Sequence, residues 1–206
     1  MSNTIDLSMI DIRTEAFADF MADYPYASEV DSIDELPVQV FTADDEGTLF
    51  QARVLGFGSS YRKTHLNHAP GTLPGKGVRC SGCRWTDTAI LWAQPVERVG
   101  PEGLKPVAPW QYVFVSLGKS SIAGEWQRDT VIWTEDPEDV LRHLFVPTKK
   151  EFRRDTGTKA IPPHNAAAFR DAACVDAALA DLLDRYGAVI PEADRTGPDA
   201  DPLAGL

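Results

Sequence analysis

WQYVFVSL, residues 110–117, is the stretch from which the fold can be read. β-Branched and aromatic residues fill it, a composition suited to a pleated, half-buried surface. Neither glycine nor proline interrupts it, so it reads as an interior strand. The segments around it read the same way. TDTAILWA (86–93) lies upstream and QRDTVIWT (127–134) downstream. Further upstream, PVQVF (37–41) and TLFQARVL (48–55) flank ADDEG (43–47), a turn signal between two strand patterns. VERVGPEGLKPVAP (96–109) and GKSSIAGEW (118–126) read as connections. Most links are too short for a parallel crossover, so an antiparallel meander is expected.

Helical periodicity occurs in three places. In residues 13–23, Phe17, Phe20 and Met21 share a face. In TEDPEDVLRHLF (134–145), Asp136 can cap, Pro137 suits the first helical position, and Glu138 and Asp139 favour the positive end of the dipole. Residues 165–186 form the longest amphipathic pattern. Phe169, Ala172, Val175, Leu179, Leu182, Leu183 and Tyr186 fall on one side, and Gly187 stops the run. The class predicted is α+β: an antiparallel β-sheet, a zinc-pinned loop, and two or three packed helices.

Three parts are expected along the chain: an acidic N-terminal region (1–46), a single α+β domain (47–187), and a disordered acidic tail (188–206). The tail is Pro-rich and poor in apolar residues. Residues 1–46 hold twelve acids against one base, Arg13, which equals the net charge of −11 of the whole chain. Residues 47–86 hold six bases and no acid. Such asymmetry points to a phosphate-bearing partner, or to the acidic region neutralising the basic one. No apolar run reaches the length of a membrane span, and MSNTIDLSMID carries acids where a secretory signal carries Lys or Arg. A cytoplasmic protein without membrane contact is expected.

The basic segment also holds most of the chain's metal-binding chemistry. Two of four histidines, His65 and His68, and two of three cysteines, Cys80 and Cys83, fall within residues 65–83. They lie in the stretch 56–85, which shows no sustained period and few apolar residues to pin it. Unstructured loops beyond about 12–15 residues are uncommon in compact domains. Two thiolates and two imidazoles around a zinc ion would order this one, and a filled Cys2His2 shell leaves no open position for substrate. A redox role for the CxxC is weaker, because a strand pattern follows it rather than a helix.

Other motifs fail on composition. Tyr61 stands where a GxGxxG loop beginning at Gly56 needs its third glycine. Neither GxxxxGK[ST] nor HExxH occurs, and the HxE of zinc deaminases is missing. No catalytic residue is assigned, and a metal-dependent nuclease is the least favoured reading. Cys174 projects to the polar side of its helix, His143 suits a helix C-terminus, and His164 has no partner near it in sequence. Arg62, Lys63, Lys76, Arg79 and Arg84, interleaved with Tyr61 and Trp85, could follow a phosphate backbone and stack on bases.

GSSYRKTHLNHAPGTLPGKGVRCSGCRWTDTAILW (58–92), YVFVSLGKSSIAGEW (112–126) and VIWTEDPEDVLRHLF (131–145) carry a resemblance. The chain resembles, over residues 50–185, a group of actinobacterial-phage proteins in which a His-containing loop leads into RCSxCRW before a strand. The resemblance implies a phage-type origin and a setting in the cytoplasm of an infected bacterium. It implies no particular activity. The function expected is a zinc-stabilised, non-enzymatic binding protein, its ion held by His65, His68, Cys80 and Cys83, that contacts nucleic acid or another phosphate-rich partner through Arg62, Lys63, Lys76, Arg79, Arg84 and Trp85 of the basic Cys/His loop. The alternative is an adaptor or inhibitor that binds a host or phage protein through the acidic N-terminal region.

Overall fold

The computed structural model describes residues 6–12, 17, 19–21, 30–42, 48–62, 84–101, 103–120, 126–147 and 159–191. One sheet organises them. Its strands are β1 (Asp6–Asp11), β2 (Gln39–Thr42), β3 (Leu49–Arg62), β4 (Arg84–Val99), β5 (Gly103–Pro106), β6 (Gln111–Ser120) and β7 (Trp126–Thr134). The order is β1-β2-β3-β4-β6-β7, with β5 continuing the β6 edge along the far end of β4. A second small ladder joins β8 (Val146–Pro147) to β9 (Lys159–Ala160). The helices are α1 (Pro137–Leu144), α2 (Pro163–Val175) and α3 (Ala177–Tyr186).

The sheet is mixed rather than an antiparallel meander. β1 runs parallel to β2, and the other pairs are antiparallel. The acidic N-terminal stretch gives no strand pattern by composition, yet residues 12–38 are long enough for a crossover and carry helical residues at Phe17 and 19–21. The N-terminal region is therefore part of the same core: Ile12, Phe17, Met21 and Leu36 are all buried. Two connections also shorten. β4 runs on to Val99 and turns through Gly100, at φ 73°, into β5, so VERVGPEGLKP forms a hairpin. The basic linker after α1 is pinched at its ends by β8 and β9, with residues 148–158 outside the described residues.

Aromatic contacts show that the sheet curls. Phe50 on β3 and Trp133 on β7 are three strands apart in the order, yet their ring centroids lie 5.3 Å apart. The concave face thus closes around Phe41, Phe50, Ala89, Leu91, Val113 and Val115, and helical Phe17 packs into it against Phe41 and Phe57. Removing this apolar surface from water is the main drive toward the fold.

Helices α1, α2 and α3 cover the opposite face. Residues 165–186 form two helices where one was expected, because Asp176 leaves helical geometry at φ −114° and ψ 115°. Its N–H still bonds Ala172 O at 3.0 Å, ending α2, while its carboxylate accepts from Leu179 N at 2.9 Å, starting α3. The apolar period continues across the break, so it hides the cap. Ordered chain also extends beyond Gly187. Ile190 is buried, and the Arg170 guanidinium donates to the carbonyls of Ile190 and Pro191 at 2.8 and 2.9 Å. Residues 192–206 lie outside the described residues. Among the described residues, no helix is long and apolar enough to cross a membrane.

Candidate functional site: the outer end of the β3–β4 stem

β3 and β4 are the longest strands because their pairing continues past the core. The register runs through Ser59↔Asp87, Ser60↔Thr86 and Tyr61↔Trp85 to Arg62↔Arg84. Residues 56–62 and 84–85, expected in the loop 56–85, are therefore strand, and residues 63–83 lie outside the described residues. The period of residues 56–62 is broken to the eye by two glycines and two serines, all of which prove to be strand residues.

The glycines explain how the stem is mounted. A Cβ on Gly56 would lie 1.9 Å from the carbonyl oxygen of Ala168, and one on Gly58 would lie 2.0 Å from that of His164. The backbone of α2 rests directly on β3, and no other residue type fits beneath it. Gly56 and Gly58 are a helix-docking groove, which accounts for GFG without any phosphate. Ala166, Ala168 and Ala172 supply the matching small side chains and are fully buried.

Polar side chains fix the N-terminal end of α2 to the stem. His164 Nδ1 and Ser60 Oγ are 2.7 Å apart. Thr88 donates to Asn165 Oδ1 at 2.6 Å, and Asn165 Nδ2 donates to Leu144 O at 2.8 Å. On the concave face, Ser59 donates to the Asp87 carboxylate at 2.6 Å. Asp87 is buried, and that desolvation, only partly offset by the Ser59 hydrogen bond, raises its pKa to about 6. Neither Asp87 nor the His164–Ser60 pair is legible in the sequence. His164 meets a partner 104 residues away, and nothing local announces it.

The predicted site residues divide as follows. Arg62, Arg84 and Trp85 stand at the end of the stem, the two arginines in opposite register positions and Trp85 opposite Tyr61. Lys63, Lys76 and Arg79, with the four proposed metal ligands His65, His68, Cys80 and Cys83, lie outside the described residues. Among the described residues, no group of three or more His, Cys, Asp or Glu is placed to hold a metal ion. Cys174 is exposed, and its thiol points to Arg170 O at 3.3 Å. His143 packs its ring against Phe114 at 6.2 Å. No family model matches the chain, and no curated protein or solved structure matches it.

Proposed function

We propose that this is a non-enzymatic nucleic-acid-binding protein whose basic excursion, residues 63–83, is organised by a structural zinc ion. His65, His68, Cys80 and Cys83 would hold the ion, which supplies a closed tetrahedral crosslink and no reactive position. The donor set fits zinc: two thiolates and two imidazoles are soft and borderline ligands of the right number. Arg62, Lys63, Lys76, Arg79 and Arg84 would neutralise phosphates, with Trp85 available for stacking. A phage-type protein acting in the cytoplasm of an infected bacterium is the setting this reading assumes.

The stem register is the observation that supports it. Pairing to Arg62↔Arg84 brings both ends of the excursion together. Cys83 directly precedes Arg84, the paired end of β4, and His65 comes three residues after Arg62, that of β3. Much of the loop-closure entropy is thereby met before any ion binds. The same register sets two arginines at opposite positions, an arrangement that disfavours two bare positive charges and that a bridging phosphate would relieve.

Two measurements test the proposal together. Elemental analysis of the purified protein should find one zinc per chain, lost in His65→Ala and Cys83→Ala. Binding to labelled single- and double-stranded nucleic acid should weaken log-linearly with salt, and Arg62→Ala with Arg84→Ala should reduce the slope by about 1–2. Undetectable binding at low salt would dispose of the nucleic-acid role.

A further inference from the structure

Asp87 has a place in the fold that the binding role does not explain. It is a carboxylic acid only 4 % exposed, on the concave face, where the stem leaves the core. On β4 it lies between the core residue Ala89 and the outer residue Trp85. Three further pairs, Ser60↔Thr86, Tyr61↔Trp85 and Arg62↔Arg84, continue outward from the Ser59↔Asp87 pair. Among the described residues its one side-chain hydrogen-bond donor is Ser59, and a buried ionised carboxylate held by one hydroxyl is poorly compensated.

The groups around it can be named from the register. Across β3, its partner is Ser59, flanked on the same face by positions Phe57 and Tyr61. Across β6, its partner is Leu117, flanked by positions Val115 and Lys119. One strand further, Arg128 on β7 stands opposite Leu117. The helical segment packed on Phe57 contributes one described charged residue, Asp19, which is exposed. By register, Lys119 and Arg128 are the cationic positions nearest Asp87 on β6 and β7. Neither is the direct cross-strand partner of Asp87.

We propose that Asp87 is a proton-operated latch on the outer stem. With the carboxyl neutral, the three outer pairs close. With it ionised, water is drawn to the carboxylate and those pairs fray. The direction follows from linkage. Burial places the closed-state pKa at about 6, against 3.8 for a solvated aspartate. Closure is therefore favoured fully below the lower value and is weakened as pH rises through the upper one. For a frayed state that solvates Asp87 completely, the opening constant rises about tenfold between pH 5 and pH 8. That this regulates ligand binding, by changing the approach of Arg62 and Arg84, rests on the function proposed above. The latch itself does not.

The test uses the full-length protein without nucleic acid. Backbone amide exchange at residues 60–62 and 84–86, corrected for intrinsic rates, is followed from pH 5 to pH 8. The expected result is a tenfold rise in opening in the wild type and a flat profile in Asp87→Asn. Ser59→Ala, which removes the hydrogen bond that favours ionisation, should move the midpoint to higher pH. A flat wild-type profile overturns the latch, as does an Asp87→Asn profile equal to the wild type. Should Asp87→Asn fail to fold, an unmoved midpoint in Ser59→Ala overturns it alone. A working latch in a protein that binds no nucleic acid would refute only the binding role.

Discussion

Thr88 on β4 and Asn165 on α2 are joined by a 2.6 Å hydrogen bond in the buried seam between sheet and helices. Asn165 also donates to Leu144 O, at the end of α1, so one amide ties three elements together. Replacing it with leucine keeps the branched shape but strands the Thr88 hydroxyl and the Leu144 carbonyl in a dry seam. Asn165→Leu is expected to lower stability by about 2–4 kcal/mol, and Thr88→Val by about 1–2 kcal/mol. The double variant should lose less than the sum, because the two share one bond. Urea denaturation measures all three. Full additivity would show that the bond contributes nothing.

Gly56 and Gly58 differ from Gly100 in the reason for being glycine. Gly100 has a positive φ but open space around its Cα, whereas the first two lie against the carbonyls of Ala168 and His164. Gly100→Ala should therefore cost about 1–2 kcal/mol, the strain of a left-handed residue. Gly56→Ala and Gly58→Ala must displace α2 as a body, because the obstructing atoms are backbone. Loss of about 3 kcal/mol or more is expected, at or beyond the upper end for overpacked cores. Thermal melts rank the three. A Gly58→Ala protein as stable as Gly100→Ala would mean that α2 does not dock on this strand.

Tyr112 donates its hydroxyl to Asp176 Oδ2 at 2.9 Å, at the break between α2 and α3. Burial, then the charge of Asp176 and the bond to it, raise the Tyr112 pKa well above the ordinary tyrosine range. The folded state thus holds a proton that the unfolded chain releases near pH 10. Stability should fall as pH climbs above that point, and Asp176→Asn should relieve part of the loss. Tyr112→Phe removes the effect and costs about 1–2 kcal/mol at neutral pH. Absorbance titration at alkaline pH follows the phenolate directly. A Tyr112 that ionises at the ordinary value in the wild type contradicts the contact.

Local chemistry was legible where a single residue decides the outcome. Asp136 caps α1 through Glu138 N at 2.9 Å, as the DPED pattern implies, and residues 111–117 lie in β6. What escaped was set by partners distant in the chain. β1 has no strand signature of its own and exists because β2 and the helical residues around Phe17 give it an edge to pair with. The GFGSS run reads as loop because the very residues that admit α2 weaken strand propensity. Asp176 could have been read as a cap followed by Leu179, but the apolar stripe on both sides outweighed it. Of the candidate site, the register placed Arg62, Arg84 and Trp85 at one end of a stem, a relationship that spacing alone does not contain.

Loss of the proposed zinc ion should separate residues 63–83 from the fold. The described residues by themselves supply a buried core on both faces of the sheet, and the stem pairs as far as Arg62↔Arg84. The zinc would therefore order the excursion without being needed by the sheet, unlike small zinc domains that unfold without their ion. Treatment with a strong chelator, or Cys80→Ala with Cys83→Ala, is expected to leave the main thermal transition within a few degrees, since a segment can open locally at far less free energy than global unfolding requires. Trypsin should then cut rapidly at Lys63, Lys76 and Arg79, while the metal-loaded protein resists. Nucleic-acid affinity should fall along with that protection, because a disordered segment bears an ordering cost when it binds. Equal cleavage with and without chelator would show that no ion holds the excursion. Collapse of the whole fold on chelation would instead place the ion among the interactions that the core requires.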